Sequence, residues 1–165
     1  MAVLEVLHFP DARLRKKAVS VERIDDHIQK LGADMLETMY AENGIGLAAT
    51  QVNIQKRIIV IDLSLTKNDS VVMINPEIIS VSGVEQMQEG CLSVPEVFET
   101  VERAEKITCR YLSLDNNLVE QEAEGLLAVC IQHEIDHLDG ITFVDHISKV
   151  KRDMIINRMK KLKKS

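Results

Sequence analysis

The sequence predicts an α+β domain. Two groups of short strands are visible, the helices do not alternate with them, and a turn-linked pair of strands marks antiparallel pairing. Ile24, Ile28, Leu31, Met35 and Met39 recur at helical spacing, and Asn43-Gly44 ends the pattern. Arg57 to Leu63 (RIIVIDL) and Val71 to Asn75 (VVMIN) read as short buried strands. Ile107, Cys109 and Tyr111 alternate with Thr108, Arg110 and Leu112, the period of a strand. Asp115-Asn116-Asn117 supplies a turn, and Leu118 to Ala123 returns as the hairpin partner. Gly125 to Leu138 reads as a helix that Gly140 terminates. A last helix is expected from about His146, with Ile147, Val150, Met154, Ile155 and Leu162 as a loose apolar side.

Composition narrows the function classes. The chain has 165 residues, 45% hydrophobic and 28% charged, which suits one globular domain and argues against wholesale disorder. Three cysteines, an odd number, point away from a secreted disulfide scaffold. No apolar run approaches a membrane span, and Met1 to Pro10 lacks the pattern of a signal peptide, so a cytoplasmic protein is expected. The net charge of −6 is unevenly spread: residues 149–165 hold eight cations against Asp153 alone. We therefore expect an acidic body, residues 1–148, and a basic helical tail, 149–165, belonging to the same domain. A solvated helix whose cations complement its own dipole explains the tail equally well as an anionic partner does.

The chemistry concentrates in Gln132-His133-Glu134-Ile135-Asp136-His137. On a helix, H-E-x-x-H places both imidazoles on one face a turn apart, with Glu134 beside them as a proton carrier. Asp136 is expected to play a structural part. The third ligand decides the class. No glutamate follows Glu134, so a thermolysin-like set fails, and Phe143 stands where a metzincin needs its third histidine. Cys91, Cys109, Cys130, Asp145 and His146 remain. Cys130 shares the helix face but lies about 10.5 Å along the axis from His137, too far to share an ion. Cys91 is favoured, because Glu89-Gly90-Cys91-Leu92-Ser93 is polar and Gly90 lets another backbone come close. A third segment, Gly44-Ile45-Gly46-Leu47-Ala48-Ala49-Thr50-Gln51, has small residues suited to close packing and an amide donor in Gln51.

Together GIGLAATQ (44–51), EGCLS (89–93) and QHEIDH (132–137) resemble the three signature motifs of bacterial peptide deformylase, over essentially the whole chain. The resemblance implies sheets surrounding a central helix that carries HEIDH. It also implies removal of the N-formyl group from the methionine that begins newly made polypeptides, with release of formate. Carried over by motif, the metal ligands are Cys91, His133 and His137, and the catalytic carboxylate is Glu134. The oxyanion donors are the Gln51 side chain and the Leu92 N–H. The substrate backbone is expected beside Ile45-Gly46 and Gly90, and the methionine in a pocket including Ile45, Met87, Leu126, Cys130 and His133. Phe98 replaces an arginine found in some close relatives.

A Cys-His-His set suits zinc on ligand softness, with nickel and cobalt also possible; the resemblance favours Fe(II). Expected partners are N-formylmethionyl nascent peptides and, through residues 149–165, the phosphate-rich ribosome surface. No membrane and no sequence-specific nucleic acid is expected. The rival readings are a small metallopeptidase and a non-enzymatic, ribosome-associated module with a structural metal.

Overall fold

Residues Ile58–Ile61 form a strand buried on both faces, and this explains the unbroken apolar run IIVI. Ile59 and Ile61 face one core cluster, Ile58 and Val60 another. The structure, a computed structural model, describes residues 2–164, and the side chains of residues 2–162. In chain order the elements are α1 (Asp26–Ala41), β1 (Gly46–Ala48), β2 (Ile58–Ile61), β3 (Val71–Ser82), β4 (Glu85–Cys91), β5 (Val94–Arg103), β6 (Lys106–Leu112), β7 (Leu118–Glu124), α2 (Gly125–Leu138) and α3 (Lys149–Lys164).

Five strands pair in the order β1-β2-β3-β6-β7, every ladder antiparallel, and β4 and β5 form a separate two-stranded sheet. Helix α1 covers one face of the larger sheet through Ile28, Met35 and Met39. Helix α2 covers the other through Ala128, Ile131, Ile135 and Leu138. A third cluster joins Leu7 and Phe9 of the N-terminal segment, Val94, Val97 and Val101 of β5, and Ile155 and Met159 of α3.

The helix ends follow local chemistry. Asp25 caps α1 by accepting from Ile28 N at 3.1 Å, and Asn43 leaves it at φ 57°. Helix α2 ends as predicted at Gly140, whose φ of 78° and contact with the Arg15 carbonyl leave no room for a side chain. Most of α2, including His133, Glu134 and His137, is buried, so it is a central helix and not a surface one.

Three boundaries differ from the sequence reading. Strand β3 runs seven residues past Asn75, to Ser82. The EGCLS segment, to which the sequence reading assigned no element, is largely strand: Glu89 to Cys91 close β4, and β5 begins at Val94. Polar residues and Pro95 hide both strands from a hydrophobic-pattern reading. The last helix begins at Lys149, because Phe143–His146 form a separate 3-10 turn that buries Phe143 and Val144.

Candidate metal centre

Two elements carry the donors. On α2, His133 and His137 are one turn apart and both buried. Cys91 comes from the end of β4, where the register with β5 slips between Glu89 and Cys91; the slack lies in β5, around Glu96 at φ 65°. The ligand atoms of Cys91, His133 and His137 all lie within 4.8 Å of one another. His137 Nε2 is 3.2 Å from Cys91 Sγ and 3.2 Å from His133 Nε2. Donors around a tetrahedral ion with ordinary Zn–N and Zn–S bonds stand about 3.3–3.6 Å apart, so the trio fits one divalent metal. Cys109 sits in the core, Cys130 is a buried cavity wall, and Asp145 and His146 bond Arg15 and Asp136 instead.

The imidazoles are held in distinct states. Burial alone would lower His133, but the carboxylates of Glu134 and Glu89 and the Cys91 sulfur hold it well above its ordinary value. His137 is pushed well below, first by burial and then by repulsion from His133 and Arg103. His133 Nδ1 bonds Glu89 Oε1 at 2.8 Å. Glu89 is gripped in turn by Arg103, Nε at 2.8 Å and Nη2 at 3.0 Å. Burial raises the Glu89 carboxyl, but these partners outweigh it and bring it down to about 2. Asp136 completes the chain, accepting from Arg103 Nη1 at 2.5 Å and bonding His146 Nε2 at 2.9 Å. The structural part expected of Asp136 is thus to anchor the arginine behind the metal site.

Glu134 lies beside the donors. Burial pushes its carboxyl up to about 7 against the pull of His133. Its Oε1 is buried without a hydrogen-bond partner among the described residues, and its other oxygen lies where a side chain on Gly46 would have to go. Gln51 is 1% exposed and fixed at both ends: Oε1 accepts from Ala48 N at 2.9 Å, and Nε2 donates to Ser93 Oγ at 3.0 Å, 3.5 Å from Cys91 Sγ. Thr50 ties the same turn to α2 by donating to the His137 carbonyl at 2.9 Å. Small residues at 44–49 therefore let β1 and its following turn sit directly against the HEIDH helix.

These groups open into one cavity of about 690 Å³. Ile45, Gly46, Gln51, Met87, Gly90, Cys91, Leu92, Leu126, Cys130, His133 and Glu134 all line it, so every residue carried over by motif except the buried His137 reaches it. The Phe98 ring occupies the place a side chain on Gly90 would take. Phe98 itself is 62% exposed at the mouth. Glu89, Arg103 and Ser93 are site residues that the sequence did not single out. Their contacts join residues distant in the sequence, Glu89 to Arg103 and His133, Arg103 to Asp136 and Ser93 to Gln51, and leave no trace in a one-dimensional pattern.

An α+β fold with a cysteine, two histidines and a buried glutamate gathered at one cavity is the arrangement of a metal-dependent hydrolase. The chain belongs to the polypeptide deformylase family, whose profile matches residues 3–153. It is an enzyme that removes the formyl group from the N-terminal formyl-methionine of polypeptides. Among solved structures, a peptide deformylase from Legionella pneumophila is 45% identical with a TM-score of 0.93, over 98% of both chains. One from Ehrlichia chaffeensis in complex with actinonin is 41% identical with a TM-score of 0.96, over 100% of both. A Met-Ala-Ser-bound peptide deformylase from Acinetobacter baumannii is 38% identical with a TM-score of 0.83, over 88% of this chain and 99% of that one. Among the described residues, no helix is long and apolar enough to cross a membrane.

Proposed function

We propose that Cys91, His133 and His137 hold one divalent metal, and that Glu134 moves the proton during hydrolysis of the formyl-methionine amide. The observation that supports this most strongly is the convergence of three ligand atoms within 4.8 Å beside an unpartnered oxygen of Glu134. A divalent ion bound there supplies Lewis acidity toward water and the formyl carbonyl. Glu134 takes a proton from the attacking water, whose oxygen bonds to the formyl carbon. The carbonyl oxygen gains negative charge, and Gln51 Nε2 and the Leu92 N–H donate to it, each worth about 3 kcal/mol in a site of this kind. The carbon–nitrogen bond then breaks, Glu134 returns its proton to the methionine amine, and formate leaves.

The substrate backbone has a place to pair. Strand β1 ends the larger sheet and β4 pairs only with β5, so each offers an unpaired edge, and residues of both line the cavity. An extended peptide added between them follows the logic of strand addition. Met87, Leu126 and Cys130 give the methionine side chain an adaptable apolar wall. Fe(II) is the metal favoured by family resemblance, with the reducing cytoplasm as its protection. Residues 149–165 are read as the contact with ribosomal phosphate.

Formate release from a formyl-Met-Ala-Ser peptide, compared with deacetylation of its acetylated counterpart, tests the reaction. Metal analysis of anaerobically purified protein tests the ion. Rapid formate release with negligible acetate release supports a tight formyl site; equal rates overturn it.

A further inference from the structure

We propose that the polypeptide substrate continues past the metal site into a second groove, between residues 4–13 and the C-terminal part of α3. The proposal rests on reading the first cavity as the formyl-methionine site. The second groove encloses about 1020 Å³ and shares His8, Glu42, Pro95 and Glu96 with the first, so the two adjoin along these four residues. Its floor is apolar: Leu7, Phe9 and Met159 belong to one buried cluster. Its far wall is Lys160 and Leu162 of α3.

The near wall is anchored to the catalytic region itself. Leu7 N donates to the Gln51 carbonyl at 2.7 Å and Phe9 N to the Ser93 carbonyl at 2.6 Å. Donation by alternate residues is the pattern of an extended chain, which turns the intervening His8 amide the other way. That amide has no acceptor among the described residues, and His8 lines both cavities. A peptide leaving the metal site along this wall meets an unpaired main-chain donor above an apolar floor. Strand addition uses this combination to bind polypeptides of many sequences. The occupant is therefore the downstream part of the same formylated chain, because the groove begins where that chain must leave the first cavity.

The test compares a formylated tripeptide with a formylated decapeptide sharing the same first three residues. The longer substrate should show kcat/KM higher by about tenfold, carried mainly by KM. Ala12 is exposed and lines the groove, so Ala12→Trp should remove this gain while leaving the tripeptide constants unchanged. A photoreactive residue at position seven of the decapeptide should crosslink to residues 4–13 or 159–162. Equal kcat/KM for both lengths, or crosslinks confined elsewhere, overturns the groove assignment. So does a concentration-dependent dimer that Ala12→Trp dissociates, which gives the groove to a second copy of the chain. Absence of formate release from either peptide would instead overturn the reading of the metal site, while the crosslink still reports on the groove.

Discussion

Glu89 Oε1 stands 2.8 Å from His133 Nδ1, both side chains buried, and so directs the opposite ring nitrogen toward Cys91 and His137. The carboxylate fixes the tautomer and orientation of a metal-binding imidazole. Glu89→Gln keeps the shape and removes the charge. It should weaken metal affinity by about 10–100-fold, measured by competition with a chelator. Arg103→Leu should be worse for the fold, costing about 3–5 kcal/mol in denaturant unfolding, because the buried Glu89 carboxylate loses its two-pronged arginine partner and keeps only His133. Unaltered metal affinity in the glutamine variant would contradict the orienting role.

Gly46→Ala should separate stability from chemistry. A methyl group at Gly46 runs into the Glu134 carboxylate, the movable end of a side chain and not backbone. The fold can yield there, so Tm should change little. The displaced carboxylate should lower kcat by about 10²-fold, the usual cost of a small misplacement at a reacting centre. Full activity in the alanine variant would show that Glu134 tolerates movement.

Acid stability should carry the signature of Asp62. Its carboxylate accepts from Ser64 Oγ at 2.6 Å, Tyr40 Oη at 2.5 Å and Ser64 N at 2.8 Å, and these hold its pKa at about 2 against an ordinary 3.8. The folded value is depressed, so the contribution is complete above pH 3.8 and fades as pH falls toward 2. Urea unfolding should show wild type more stable than Asp62→Asn at neutral pH, with the gap closing across that window. A gap that persists to pH 2 would place the effect outside Asp62.

The basic tail calls for charge reversal and not deletion. Ile155 and Met159 of α3 are buried against β5 and the N-terminal segment, so removing residues 149–165 would open the core. Lys149 and Lys161 are exposed. Lys149→Glu with Lys161→Glu should weaken salt-sensitive ribosome binding in a sedimentation assay and leave turnover of short formylated peptides unchanged. Undiminished binding would return the tail to a solvated helix.

Much of this architecture was legible in the sequence where burial is one-sided or complete. The spacing of Met35 and Met39, the run around Ile59, and Gly140 after the HEIDH helix each specify local structure through packing or backbone freedom. The EGCLS segment was legible as chemistry but not as strand. Its hairpin is held by β5 and by the Glu89–Arg103 pair, and neither a register slip nor a cross-strand ion pair has a sequence period. The donor trio was legible because two ligands sit on one helix at fixed spacing. The third could be named only by elimination and by motif, since a thiol 42 residues before His133 is brought near by the tertiary fold.

The account turns on Glu134 as the proton carrier beside a metal it does not bind. Anaerobically purified Glu134→Gln, assayed for metal content and formate release on the same sample, tests this most directly. The expected result is about one metal per chain, as in wild type, with formate release reduced by at least about 10²-fold. A metal-replete variant that keeps half the wild-type rate would contradict it.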